Sequence, residues 1–521
     1  MFDLVLKGGT IADGTGAALY RGNVCVKDGK IAAITQDTVT DARQVLDVTG
    51  LVVSPGFIDP HTHSDNSYLA DSPLESHLAQ GVTTEIAGNC GTSSVPVSVK
   101  KKEEVNAYLM SKRGRGGLMS VSDYAEDIDS HHPLVNYGTL IGHGTLRLAV
   151  MGFVNRDPDA EEMEELKTLL DQEMSRGAFG MSLGLIYPPS AFSAKEELIE
   201  LAKVIAKHDG ILAVHMRNEG PRLFEAVDEM IEITEKSGVH LQISHLKLMG
   251  KPQWGKSDLL LEKLLQAKAR GLNITADQYP FLASSTSMNA LVPHWAHEGG
   301  KEQMHKRIEA REGDICQKIE EEMNNRGGPD TVLVVSCGKE HRHWQGKFVS
   351  QLAEEFGLDP VETVRKVLLE TNCGTSCIYF SINEGDMLNI MSQKFVCVGS
   401  DGSDKTLDPA ATKANFHPRN YAAFSQFFQT VRENKLMPLE DAVFKITGLP
   451  AQILGIKDRG ILREGMAADI AVFDPETFGS QSTFLAPCAR PVGMHHVIVN
   501  GKLTIHNGVL TEARAGKALL K

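Results

Sequence analysis

The feature that most constrains this chain is a strand-then-helix rhythm running from Ser193 to Asp277, in which each apolar strand ends on a polar residue. Ser193-Ala194-Lys195-Glu196 has the spacing of a capping box and opens an apolar-periodic helix that Gly210 ends. The strand Ile211–His215 follows, then a helix around Leu223 to Lys236 stopped at Gly238, then the strand Leu241–His245. Ser257 and Asp258 start another helix, Gly271 closes it, and Leu272–Ala276 runs into Asp277. Repeated βα units imply a parallel sheet, because parallel neighbours need a long crossover and a helix supplies it. Polar residues at the C-terminal strand ends lie where a (β/α)8 TIM-like barrel assembles its active site. The alternative is an open doubly wound α/β sheet.

The two chain ends read differently. Short β-like runs alternate with turns: Leu4–Lys7 before Gly8-Gly9, then Gly22–Val26 and Lys30–Ile34 on either side of Asp28-Gly29, a strong hairpin signal. Ala468–Phe473 and His496–Lys502 repeat the style near the C-terminus. Neither piece can bury a sheet face alone, so the economical arrangement is a small β-sandwich formed by both chain ends. The expected plan is a sandwich part at 1–54, a barrel at 55–455 and a second sandwich part at 456–521. From Trp295 to Trp344 the rhythm breaks into charged helices, including Glu302 to Arg326, so a lid-like insertion is expected at about 285–345.

A chain of 521 residues with 42% hydrophobic and 23% charged content has the composition of a globular protein. A net charge of -14 excludes a general nucleic-acid binder, which needs a basic face. No apolar run approaches the roughly 18–20 residues of a membrane span, and the start Met1–Lys7 has no signal-peptide pattern, so the reading is cytoplasmic with no membrane partner. The eight cysteines are too sparse for a disulfide scaffold. The sequence carries no signal for an oligomeric state.

Chemistry concentrates at predicted strand ends. Gly56-Phe57-Ile58-Asp59-Pro60-His61-Thr62-His63 places two histidines at i and i+2, on one face of a strand, where both imidazoles can reach one cation. His215 and His245 each close a strand. Asp401 ends Phe395–Ser400 and offers a carboxylate as metal ligand or general base. Cys90, in Gly88-Asn89-Cys90-Gly91, follows the strand around Gly81–Ile86; its thiolate can bind zinc, and its glycine neighbours permit close backbone approach. Each residue alone has a structural explanation, but ligand types recurring at the strand ends of one sheet point to a metal centre. His143 in Gly142-His143-Gly144, and Cys373 with Cys377, read as structural.

These residues resemble the amidohydrolase superfamily and, within it, the N-acyl-D-amino-acid deacylases. Pro55–His63 carries the superfamily resemblance; Gly88–Gly91, Ser182–Pro189, His215-Met216-Arg217-Asn218-Glu219-Gly220 and Ser244–Lys247 carry the deacylase one, and it spans almost the whole chain. The resemblance implies one or two zinc ions. Cys90 would stand in for the carboxylated lysine of hydantoinase-like relatives, with His215 and His245 at the tighter site and His61, His63 and Asp401 at the other. It also implies that Tyr187, Lys247, Ser284 and Arg419 bind the substrate carboxylate, a role a guanidinium can play bidentately. The loop Ser403–Leu407 departs from the shorter, proline- and histidine-rich segment expected there.

The implied reaction is hydrolysis of a small-molecule N-acyl-D-amino acid to a carboxylate and a free D-amino acid, with Asp401 as the proton carrier. Two other readings compete: a cyclic-amide hydrolase of the dihydropyrimidinase or hydantoinase type, which would place a lysine at Cys90, and a non-catalytic scaffold, which would have lost ligands.

Overall fold

The computed structural model describes residues 1–37, 39, 41–70, 72–113, 116–412, 414 and 416–521. At the N-terminus β1 (Phe2–Ile11) pairs antiparallel with β2 (Tyr20–Lys27), which turns into β3 (Lys30–Thr35). The turn residues Asp28 and Gly29 have φ of 51° and 77°, the left-handed values that a tight two-residue hairpin demands. β4 (Ala42–Asp47) and β5 (Val52–Pro55) lie parallel to successive stretches of β1.

The chain then enters its parallel region. β6 (Phe57–Asp59), β7 (Val82–Ala87) and β8 (Asn136–Thr139) form one parallel sheet in that order. β9 (Ile141–Gly142), β10 (Gly180–Gly184), β11 (Ile211–His215), β12 (His240–Ile243) and β13 (Ile274–Gln278) form another. The helices Ala160–Ser175, Lys195–Lys207, Leu223–Ser237 and Ser257–Ala269 make the crossovers from β9 to β13. Every residue of β10, β11 and β13 is buried, as expected of parallel strands covered on both faces. The two sheets meet where Leu140 N donates to Ala87 O at 2.9 Å and Phe179 N to Thr139 O at 3.0 Å.

Between β13 and the last parallel strand the chain builds a small antiparallel sheet from β14 (Ser284–Ser287), β15 (Val332–Ser336) and β16 (Ser376–Tyr379). With the helices Lys301–Ala310, Ile315–Asn325, Val349–Phe356 and Pro360–Glu370 it encloses its own apolar cluster, from Met288 to Tyr379. β17 (Val396–Val398) then lies parallel beside β13. Just past β17, Thr62 bridges Gly402 in parallel, His63 N donates to Gly402 O at 2.6 Å and Asp401 N to His61 O at 2.8 Å, so the two outer edges of the parallel region are in contact.

The C-terminal strands β18 (Ile470–Phe473), β19 (Met494–Val499), β20 (Lys502–His506) and β21 (Val509–Leu510) return to the first sheet, with β18 antiparallel to β5. The chain ends therefore share one nine-stranded hydrogen-bonded sheet. A buried polar knot ties it to the parallel region: Asp469 pairs with Arg459, and accepts from Asn500 N at 2.6 Å and Asn136 Nδ2 at 3.0 Å.

Two local expectations change. The helix at Lys195 has Ala194 as its N-cap without a side-chain bond, because Ser193 Oγ instead donates to Ser190 O at 2.8 Å. The strand before the histidine pair ends at Asp59, so His61 and His63 sit in the segment beyond it and are aligned by the contact with Gly402 rather than by a continuous strand. Among the described residues no helix is long and apolar enough to cross a membrane.

Candidate active site

Five of the six expected ligands converge in one buried cluster. Cys90 Sγ lies 3.4 Å from His61 Nε2, and 3.7 Å from both His215 Nδ1 and His245 Nε2, while those two nitrogens are 2.8 Å apart. His61 Nε2 is 3.5 Å from Asp401 Oδ1. His63, more exposed, joins through Asp401, its Nε2 3.0 Å from Oδ1. Ligand atoms of His61, Cys90, His245 and Asp401 lie within 4.8 Å of one another, as do those of His215, Glu219 and His245.

The backbone is bent to achieve this. Cys90, His245 and Asp401 have φ of 52°, 39° and 50°, a left-handed conformation that costs an ordinary residue of the order of 1 kcal/mol or more. All three follow the end of a parallel strand, and the bend turns each side chain toward the common centre. The approach around Cys90 is as close as its glycine neighbours suggest: a Cβ on Gly184 would meet Cys90 O at 2.1 Å, and one on Gly91 would meet Gly184 N at 2.7 Å.

Charge in the cluster is self-compensated. Burial opposes a thiolate at Cys90, but the neighbouring His61 charge and hydrogen bonds from His215, His245 and His61 outweigh it and hold the thiol well below its usual range. Burial likewise opposes the Asp401 carboxylate, and Arg419, then His245 and His61, hold it well below its usual range. Burial and Lys247 work against charge on His245, whereas Glu219, Asp401 and Cys90 raise it to about 9. Imidazole, thiolate and carboxylate together are the donor set that zinc takes. His215 Nε2 is also buried without a hydrogen-bond partner among the described residues.

Cys90, His215, His245 and Asp401 line a cavity of about 610 Å³ together with Tyr187, Lys247, Ser284 and Arg419. Arg419 Nη1 lies 2.7 Å from Asp401 Oδ2, its Nη2 donates to Ser285 O at 3.1 Å, and its guanidinium stacks 5.2 Å from the centre of the Tyr279 ring. Lys247 Nζ lies 2.6 Å from Glu219 Oε1 and 2.9 Å from His245 Nδ1. Tyr187 Oη is 2.9 Å from Thr286 Oγ1, and its ring meets that of His215 edge-on at 5.1 Å.

The model of the amidohydrolase family matches residues 44–310 and 391–505. The chain belongs to that family. It is 32% identical to a D-aminoacylase of Alcaligenes xylosoxydans xylosoxydans over 100% of this chain and 98% of that one. It is also 32% identical to an N-acyl-D-glutamate deacylase of the same organism, over 96% of this chain and 93% of that protein. A crystal structure of N-acyl-D-glutamate deacylase from Bordetella bronchiseptica, complexed with zinc and a phosphonate mimic of the tetrahedral intermediate, superposes with a TM-score of 0.84 at 31% identity, covering 100% of both chains. A D-hydantoinase structure covers 99% of this chain and 98% of that one with a TM-score of 0.56 at 15% identity, a likeness of fold alone.

In this amidohydrolase the clustered imidazoles are held by carboxylates that sequence reasoning passed over. Asp277 Oδ1 is 2.9 Å from His61 Nδ1 and accepts from His245 N at 2.8 Å, so it orients two imidazoles at once. Glu219 Oε1 lies 3.0 Å from His245 Nδ1. The signals were available: in the sequence Asp277 follows the apolar run Leu272–Ala276 much as His215 ends its own, and Glu219 stands four residues after His215. Tyr279, two residues past Asp277, was missed for want of any motif. His143 is buried away from the cavity, 2.7 Å from Ser190 Oγ and 2.8 Å from Glu197 Oε1, and Cys373 and Cys377 lie in the apolar cluster of the insertion.

Proposed function

We propose that this protein is a zinc-dependent N-acyl-D-amino-acid deacylase, releasing a carboxylate and a free D-amino acid from a small linear amide. One observation carries the reading: the donor atoms of His61, Cys90, His245 and Asp401 cluster within 4.8 Å of one another, and Cys90, His245 and Asp401 line the cavity that Arg419 also lines. The relatives' names supply the D configuration and the acyl linkage. In this reading the parallel strands β6 to β13 and β17 make a (β/α)8 barrel, with β8 and β9 as one interrupted strand. The 1–54 and 456–521 segments form the β-sandwich, and the inserted layer caps the barrel from Ser284 on.

His61, His63, Cys90, His215, His245 and Asp401 would hold one or two zinc ions. Bound there, zinc supplies Lewis acidity toward water and the acyl carbonyl. Arg419, Lys247 and Ser284 bind the substrate carboxylate, and this fixes the scissile bond over the cluster. For Arg419 that means sharing a guanidinium already paired with Asp401. Asp401 removes a proton from the attacking water and returns it to the departing nitrogen, so that amide and water become carboxylic acid and amine. Tyr187, whose hydroxyl burial pushes well above its usual pKa, keeps its proton and donates it as a hydrogen bond to the carbonyl oxygen. A cytoplasmic setting suits a thiolate ligand and eight free cysteines.

The test is turnover by metal-quantified protein of N-acetyl-D- and N-acetyl-L-methionine and of dihydrouracil. Hydrolysis of the D-amide, lost on chelation and restored by zinc, is expected. Activity on the ring alone, or on the L-amide alone, overturns the proposal, and full activity without metal overturns its zinc dependence.

A further inference from the structure

The relatives leave the substrate's side chain open. Three of them, at 30–32% identity, are named for different substrates: D-aminoacylase, N-acyl-D-glutamate deacylase and N-acyl-D-aspartate deacylase. The choice must be read from this chain's own cavity.

Among the described residues, four lysine and arginine side chains line that cavity: Lys247, Arg326, Lys405 and Arg419. Three face a carboxylate of the protein, Lys247 with Glu219 at 2.6 Å, Arg419 with Asp401 at 2.7 Å and Arg326 with Glu322 at 3.6 Å. Lys405 does not: no described carboxylate oxygen lies within 4.0 Å of its Nζ, whose nearest recorded contact is the Phe416 ring at 5.0 Å. Part of its surface is open to the cavity, yet the protein around it is dense enough to pull the ammonium down to about 8, against the pull of Asp404 and Glu85. A desolvated cation without a paired anion is costly, and an anionic ligand removes that cost.

Lys405 is also firmly seated. Its N donates to Ser76 Oγ at 2.9 Å and to Asp404 Oδ1 at 3.0 Å, and its O accepts from Glu75 N at 3.1 Å and Ser76 N at 3.0 Å. Asp404, in turn, accepts from Ser76 Oγ at 2.9 Å and His77 N at 3.0 Å. A lysine whose backbone is pinned on both sides leaves only its side chain, and not the loop, to be ordered on binding. It belongs to the Ser403–Leu407 loop, whose sequence departs from the pattern expected of the deacylases.

We propose that Lys405 is the receptor for a second carboxylate on the substrate, so that the protein prefers dianionic N-acyl-D-amino acids to monoanionic ones. This rests on the deacylase reading. Arg419 and Lys247 take the α-carboxylate; Lys405 takes the other, carried either by an acidic side chain or by the tail of the acyl group.

The experiment compares kcat/KM of the zinc-loaded enzyme on N-acetyl-D-leucine, N-acetyl-D-aspartate, N-acetyl-D-glutamate and N-succinyl-D-leucine, for the native protein, Lys405→Met and Lys405→Arg. The native protein should favour at least one dianion over N-acetyl-D-leucine. Lys405→Met should reduce that preference by roughly 10- to 100-fold, mainly through KM, as expected for loss of one charged hydrogen bond. Lys405→Arg should restore most of it, which a loss of folding would not allow. A preference for the acetylated acidic amino acids assigns the second carboxylate to the side chain, and one for the succinyl amide assigns it to the acyl tail. A native preference for N-acetyl-D-leucine, or a Lys405→Met ratio within about threefold of native, overturns the proposal while leaving the deacylase reading intact. Hydrolysis of none of the four overturns the deacylase reading first.

Discussion

Arg419 and Asp401 form a buried ion pair, with Nη1 2.7 Å from Oδ2, in the cavity that the proposed function gives to the substrate. In the proposed mechanism the pair links substrate grip to the proton carrier. Arg419→Lys keeps the charge and loses the planar fork, so KM for an N-acetyl-D-amino acid should rise about 10- to 100-fold with zinc content unchanged. Steady-state kinetics with metal analysis on the same sample checks both halves, and an unchanged KM would remove Arg419 from substrate binding.

Cys90 Sγ lies within 3.7 Å of three of the histidines. Cys90→Ala should therefore lower zinc affinity by more than the roughly 10- to 100-fold typical of losing an outer hydrogen-bond partner. Asp277→Asn, which disturbs the support of His61 and His245 without removing a donor from the cluster, should fall inside that range. Equilibrium dialysis against a competing chelator ranks the two, and equal losses would contradict the ordering.

Behind the site, His77 and Glu85 are completely buried, Nδ1 3.1 Å from Oε1 though poorly aligned for a hydrogen bond. Burial works against charge on His77, but Glu85 and then Asp404 and Asp59 hold its pKa up at about 9. A histidine whose pKa is raised on folding stabilises fully below its unfolded value of about 6.5 and loses that contribution as pH climbs through the folded value. Stability should thus decline between about pH 6.5 and 9, by roughly 3 kcal/mol from this group. In His77→Gln the decline should flatten; equilibrium unfolding at several pH values in both proteins measures it, and parallel slopes would refute the assignment.

Glu197 accepts from His143 Nε2 at 2.8 Å and pairs with Arg147, all three side chains being buried. Removing the carboxylate strands a buried guanidinium, so Glu197→Ala should cost about 3–5 kcal/mol. His143 also contacts Ser190, three residues after Tyr187, so the variant should lose activity along with stability. Denaturant unfolding and kcat on the folded fraction separate the effects. A cost under about 1 kcal/mol, ordinary for an exposed pair, would contradict the buried role.

Much of this was legible because strand ends announce themselves. Ile211–His215 is an apolar run between Gly210 and a polar motif, and the observed strand has those same limits. His61, His215, His245 and Asp401, which the structure brings into one cluster, were readable for the same reason. Asp277 and Glu219 carried a strand-end position and a spacing, but a carboxylate that orients an imidazole shows its role only once strands distant in sequence are neighbours. The Ser193 cap failed because a hydroxyl three residues from the carbonyl of Ser190 had a nearer acceptor. Lys405 became meaningful only when the partners of its neighbours could be counted.

The pairing of β5 with both β1 and β18 sets an order on biosynthesis. Ser54 and Ala471, which meet across that pairing, are 417 positions apart. At roughly 5–20 residues per second a ribosome needs on the order of 20–80 s to supply the missing neighbour. Throughout that interval the Val52-Val53 edge stands open on the nascent chain, an invitation to pair with another polypeptide. Slower elongation should raise the aggregated fraction of newly made protein, and pulse-labelling at two translation rates would measure it.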